Sequence, residues 1–233
     1  MTRSLRHLAG SALALAVLIM SNPVAAAPIV LTFEGLADFE GVNEFYNGGT
    51  GSLGSGPGSN HGIRFTNAIA FIDSDAGGSG NFGGEPSPST AITFLDPQAT
   101  SAVLNLAAGF DTGFSFFYTA ISNPGSITVW DGLDGTGNIL ATLDLPLTPF
   151  NGAPDPNGQF SPFLPIGVAF NGIARSVDFS GTANQIGFDD ITIGSATPGL
   201  DRAIPEPGSL VLLTAGLVGL GALRRQHARR IAS

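Results

Sequence analysis

Few residues in this chain have the types and spacing that chemistry requires. His61 is the one histidine away from the two ends, and it sits in a glycine-rich stretch. A single imidazole cannot build a His-rich metal centre. A serine hydrolase needs its nucleophile on a sharp turn, and no Gly-x-Ser-x-Gly is present. There is no cysteine, which excludes disulfides, thiol nucleophiles and Cys-ligated zinc. No phosphate-binding loop or dinucleotide fingerprint occurs. Asp189 and Asp190 are adjacent, so on a regular strand they point to opposite faces and cannot flank one glycosidic bond together. These observations weigh against catalysis. A glycan-active enzyme stays as a minor alternative, because a glycosidase needs only two carboxylates at the right separation.

Two other chemistries remain. Glu34 closes the first apolar run and Asp190 lies in the last one. If those runs are neighbouring strands, the two carboxylates could hold a structural calcium ion, which takes six to eight oxygens. The alternative is that Glu34 caps a turn through backbone N–H groups and Asp190 is solvated. Sugar binding needs aromatic platforms. Tyr46 beside a glycine-rich loop and Trp130 on the far face of "SITVWD" are the candidates for stacking on a pyranose ring; covering the edge of the core is the other role open to them.

The elements that must position these residues are strands. Hydrophobic residues make up 43% of the 233, charged residues 12%, and 33 glycines are scattered without a period. That profile suits an all-β domain with many turns. Period-two segments run Ile29–Glu34, Gly62–Ile72 (broken near Asn67), Thr90–Leu95, Ser101–Ala107, Gly113–Ala120, Ser126–Asp131, Asn138–Leu145, Ile166–Phe170, Ala174–Ser180 and Gln185–Gly194. Turn signals separate them. Ten short strands over residues 28–195 predict an antiparallel β-sandwich, a jelly roll. The glycine-rich stretches Asn47–Gly62 and Asp73–Ser89 read as long mobile loops. Such loops either carry binding or are tolerated insertions. Residues 196–203 read as a linker.

Charge is uneven. Between Ala27 and Ala203 there are 17 acidic residues against three arginines, a net of −14. Such a surface repels nucleic acid, which is excluded as a partner. The other six arginines lie at the ends. Residues 1–26 have the three parts of a secretory signal: Arg3 and Arg6, an apolar run from Leu8 to Met20, and small residues Val24-Ala25-Ala26. This predicts a signal helix cut after Ala26.

At the other end, Ser209–Leu223 carries no charge. As a helix it is about 22 Å long, short against a hydrocarbon core of about 30 Å. It suits a weak transmembrane anchor, with Arg224, Arg225, Arg229 and Arg230 held on the cytoplasmic side. Both ends then agree on a body outside the cytoplasm.

The order of Ile204-Pro205-Glu206-Pro207, short apolar helix and arginine cluster over 204–230 resembles the PEP-CTERM tail, also described as the ice-binding protein C-terminal domain. That family usually starts Val-Pro-Glu-Pro, so Ile204 departs mildly. The resemblance implies recognition by exosortase, a membrane transpeptidase of bacteria that make exopolysaccharide. It also implies a transient inner-membrane anchor, cleavage near Pro205-Glu206-Pro207, and a body released or attached at the cell surface. The alternative is a permanent anchor. "LTFEGL", "FYNGG" and "ANQIGFDDITIG" resemble the β-sandwich of many PEP-CTERM proteins and, more distantly, carbohydrate-binding-module jelly rolls with a structural calcium. The expected function is therefore an exported surface or matrix protein with a non-catalytic binding or structural body. A dedicated carbohydrate-binding module for exopolysaccharide is the runner-up.

Overall fold

The computed structural model describes residues 27–94, 101–150 and 158–199. The expected signal helix, sorting motif and transmembrane helix lie outside the described residues. Among the described residues, no helix is long and apolar enough to cross a membrane.

The described residues form two antiparallel sheets. Their strands are β1 (Ile29–Leu31), β2 (Glu40–Gly41), β3 (Ile63–Thr66), β4 (Ile69–Ile72), β5 (Thr90–Thr93), β6 (Ser101–Phe110), β7 (Gly113–Thr119), β8 (Gly125–Trp130), β9 (Ile139–Leu145), β10 (Leu164–Ala169), β11 (Ala174–Ser180) and β12 (Gly187–Ile193). The larger sheet runs β10-β7-β12-β5-β4-β2, with β1 also paired to β12; the smaller runs β3-β6-β11-β8-β9. Only the β4–β5 and β8–β9 neighbours are consecutive in sequence, so the chain wraps between the sheets instead of meandering. The all-β antiparallel sandwich is as the sequence predicts. The expected break near Asn67 is there too: Asn67 has φ 61° and separates β3 from β4.

Alternation builds the core between the sheets. Ile63 and Phe65 of β3, Ile127 and Val129 of β8, and Val177 and Phe179 of β11 point inward. They meet Phe114, Phe116, Phe188 and Ile191 from the larger sheet. The rings pack edge-on, as between Phe179 and Phe188 at 5.0 Å and 72°, the arrangement the ring quadrupole favours.

The larger sheet is also covered on its outer face. Phe82 and Phe163, from segments without strand structure, form a second small core with Ala91, and Phe71, Phe117 and Phe160 pack against it. This explains why "GFSFFYT" of β7 is buried along almost its whole length: both faces of the strand have cover.

The long glycine-rich loops are fastened, contrary to the mobility expected of them. In Asn47–Gly62, Gly58 donates its N–H to the Phe45 carbonyl and His61 to that of Tyr46. Gly58 lies against the Phe45 ring with no room for a Cβ. In Asp73–Ser89, Asp73 caps a short 3-10 turn by accepting the Asp75 N–H.

Candidate functional site

The first and last strands do meet. Ile29, Val30 and Leu31 pair with Ile193, Thr192 and Ile191, while Phe188 further along β12 pairs with Ile92 of β5. β1 and β5 therefore follow one another along the same edge of β12. The point where one neighbour gives way to the other is a polar seam.

Asp190 sits at that seam and breaks the alternation. Its φ is 48°, in the left-handed region that Asp tolerates better than most residues. The register against β7 slips between Asp189 and Thr192, the signature of a β-bulge. Ile186 and Phe188 before the bulge, and Ile191 and Ile193 after it, all reach the same core. A regular strand would put the two pairs on opposite faces.

Glu34 and Asp190 come to this seam together. The Asp190 carboxyl is pushed up by burial and then by the charge of Glu34. Glu34 is already engaged: its Oε1 accepts the N–H groups of Ser89 at 2.9 Å and Thr90 at 2.8 Å, and its Oε2 accepts the Ser89 hydroxyl at 3.1 Å. It thus fastens the start of β5 through backbone N–H groups, the alternative role that the sequence left open. These three donors occupy most of the carboxylate's acceptor positions. Among the described residues, no group of three or more His, Asp or Glu is placed to hold a metal ion.

Asp189 is given no site role by the sequence. It has no exposed surface. Ser87 N–H donates to it at 2.9 Å, Asp190 N–H at 2.7 Å, and the Ser87 hydroxyl lies 2.7 Å from both carboxyl oxygens. Burial pushes this carboxyl up to about 8; the Ser87 contacts oppose the shift, and the Asp190 charge adds to it.

The two aromatic candidates are not brought together. Tyr46 is buried, 5% exposed. Its hydroxyl accepts the Phe33 N–H at 2.7 Å, and its ring packs edge-on against Phe33 and Phe45 and stacks on His61 at 6.3 Å. Burial raises its hydroxyl well above the usual phenol range, and the charges of Asp189 and Glu34 add to this. A sugar ring cannot reach a face of Tyr46 as it is packed here. Trp130 is half-buried on the outer face of the smaller sheet. Beside it the β8–β9 connection folds back: Asp134 bonds Asn105 and pairs with Arg64 at 3.3 Å, and Gly135 N–H donates to Ser176. The indole N–H is buried without an acceptor among the described residues.

Two cavities open on the body. One of about 640 Å³ lies between β1 and the 56–61 loop, with Glu34, Tyr46 and His61 in its lining. The other, about 370 Å³, opens on the outer face of the larger sheet. Its floor carries Ala91, Thr93, Thr119 and Gly187; aromatic walls come from Phe39, Phe71, Phe82 and Phe160. The polar groups on its wall include Asn81 and Asn184. No motif announces this cleft, because several separate segments build it.

Comparison with known proteins adds the following. Residues 203–226 match the PEP-CTERM protein-sorting motif, so the chain carries that motif. No curated protein matches the chain significantly. Among solved structures, the chain is similar to the K1 cleaved adhesin domain of Lys-gingipain from Porphyromonas gingivalis W83. The identity is 12%, the match covers 73% of this chain and 99% of that one, and the TM-score is 0.42. The K3 cleaved adhesin domain of the same protein shows 18% identity over 58% of this chain and 93% of its own, with a TM-score of 0.37. A carbohydrate binding module from Cellvibrio mixtus lichenase 5A, solved with cellotriose, shows 15% identity over 56% and 88%, with a TM-score of 0.33.

Proposed function

We propose that this chain is an exported protein that an exosortase cuts near Pro205-Glu206-Pro207, and that its β-sandwich body acts at the cell surface or in the extracellular matrix by binding and not by catalysis. The carrying observation is the sorting motif at 203–226. The sequence of the two ends supports it, since the secretory signal and the C-terminal arginines call for the same orientation.

The body's geometry suits such handling. β1 and the end of β12 lie side by side, with Ile29 opposite Ile193, so entry and exit of the folded body share one end of the sheet. The exit is clamped. Ser115 donates its hydroxyl to the Ser195 carbonyl at 2.9 Å, and Gly199 N–H donates to the Thr192 hydroxyl at 3.0 Å. From Gly199 to Pro205 the chain spans at most roughly 20 Å. A protease at the membrane surface would therefore meet the motif close against a folded domain.

Against catalysis stand the absent motifs and the burial of Asp189, whose carboxyl no substrate can reach in this fold. Glu206→Ala tests the sorting reading. It is expected to leave a longer form that fractionates with membranes, while the wild-type chain gives a shorter form outside. Equal lengths and equal fractionation of the two would contradict exosortase handling.

A further inference from the structure

We infer that the 370 Å³ cleft on the outer face of the larger sheet is a binding site for a neutral, hydroxyl-rich ligand, a segment of uncharged glycan, with Phe39 and Phe71 as its apolar platform. The inference deepens the reading of the body as a binding domain. It does not depend on the sorting step.

Among the described residues, the lining has no ionisable side chain, in a body with 17 acidic residues against three arginines. An anionic ligand would find no counter-charge there, and a cation no carboxylate. What the cleft offers is aromatic surface from Phe39, Phe71, Phe82 and Phe160 together with the polar side chains of Asn81, Asn184 and Thr93; the Thr119 hydroxyl is turned to Thr148. Apolar walls with a few convergent uncharged polar groups are the make-up of small-molecule sites, and 370 Å³ lies within their usual range of roughly 300–1,000 Å³. A pyranose has this same division: C–H faces that lie on aromatic rings and hydroxyls that bond amides.

The placement of Phe39 points the same way. Phe39 is 53% exposed, so an aromatic surface stands open at the cleft where a ligand could rest on it. Its backbone is held at φ 59°, a left-handed conformation that is unfavourable for a bulky residue. Its ring meets the Phe71 ring edge-on at 4.6 Å. A strained, exposed aromatic at the mouth of a cleft is suited to contact with a ligand. The floor is low where the ligand would rest: Ala91 and Gly187 face outward there, and a Cβ on Gly187 would press on Thr119 at 3.1 Å. Gly187 also stands at the other end of β12 from Ile193, about 20 Å from the chain's exit. The cleft is thus presented away from the end at which the folded body is entered and left.

The test is calorimetric titration of the full chain, purified in a detergent without sugar head groups. The probes are cello-, xylo-, manno- and N-acetylglucosamine tetrasaccharides, with an oligogalacturonate as the anionic control. At least one neutral tetrasaccharide is expected to bind, and Phe39→Ala to weaken it tenfold or more with an unchanged melting temperature. Asn81→Ala, at an exposed position, provides a second variant with an expected threefold or greater loss. Trp130→Ala is expected to leave binding intact. Absence of neutral binding would overturn the proposal. So would equal binding of the uronate, or binding lost in Trp130→Ala and kept in Phe39→Ala. Because processing is not read out, a failure here leaves the sorting result standing, and the reverse holds too.

Discussion

Glu40→Ala is expected to destabilise the body by about 3 kcal/mol or more, enough to consume much of a domain's typical margin of about 5–15 kcal/mol. Glu40 has no exposed surface. Its Oε2 accepts the Ala37 N–H at 2.7 Å, and its Oε1 accepts those of Leu53 at 2.8 Å and Ser55 at 3.0 Å. Gly51 lies against the carboxylate with no room for a Cβ. One buried side chain therefore ties the turn before β2 to the tip of the 47–62 loop. Burial pushes this carboxyl up, but the hydrogen bonds from Ser55, Ala37 and Leu53 together outweigh it and hold the group below its ordinary value. Alanine leaves three backbone N–H groups without this acceptor, at roughly 1–3 kcal/mol each where water does not replace it. Glutamine is expected to rescue only part, because its NH₂ donates where an acceptor is needed. Urea denaturation of the three proteins reads this directly. An alanine variant within about 0.5 kcal/mol of wild type would mean that Glu40 does not hold the loop.

Asp189 is expected to make the protein less stable as pH rises. Its folded value is about 8 against an ordinary 3.8. The folded state therefore holds a proton that the unfolded state has lost across that interval. The stabilisation is full below pH 3.8 and declines towards pH 8, by about 1.4 kcal/mol per pH unit for one proton; above that it is gone. The hydrogen bonding agrees with a protonated carboxyl. The Ser87 hydroxyl lies 2.7 Å from both Asp189 oxygens and 3.1 Å from the Thr32 carbonyl. Its single hydrogen cannot serve both neighbours, and a proton on Asp189 supplies the second bond. Asp189→Asn removes the titrating group, at a fixed cost because its NH₂ must face one of the two N–H donors from Ser87 and Asp190. Its stability is expected to change little between about pH 5 and 8 while that of wild type falls, so the gap between the two narrows or reverses as pH rises. Glu40 acts in the opposite sense, since its lowered value contributes stability that is lost on acidification. Both proteins carry Glu40, so the difference between the wild-type and Asp189→Asn curves removes that contribution. Parallel curves would show that Asp189 is ionised in the folded protein.

The sheets were readable from sequence because strand residues alternate. Ile63 and Phe65 against Arg64 and Thr66 are enough to mark β3. Three features were not. β2 has two residues, too few for any period. Asp190 in a left-handed conformation resets the alternation of β12, and an "Asp-Asp" pair reads the same with or without a bulge. The covering segments are rich in Gly, Pro and Ser and so look like loops, yet Phe82, Phe160 and Phe163 lie within them. Aromatic residues inside such stretches were the available sign that the outer face has its own core. The sorting tail was legible for the opposite reason: its information is linear, three adjacent segments in fixed order. The cleft draws on segments joined only by folding, and its lining has no spacing to recognise. Tyr46 and Trp130 were natural candidates by type, but no periodicity discloses that Tyr46 is buried while Trp130 is half-buried.

The most direct measurement is the intact mass of the exported protein taken from the cells that make it. It is expected to begin at Ala27 and to end near Pro207, lacking the segment with Arg224, Arg225, Arg229 and Arg230. A surface-located protein whose mass still includes that arginine cluster would contradict exosortase processing.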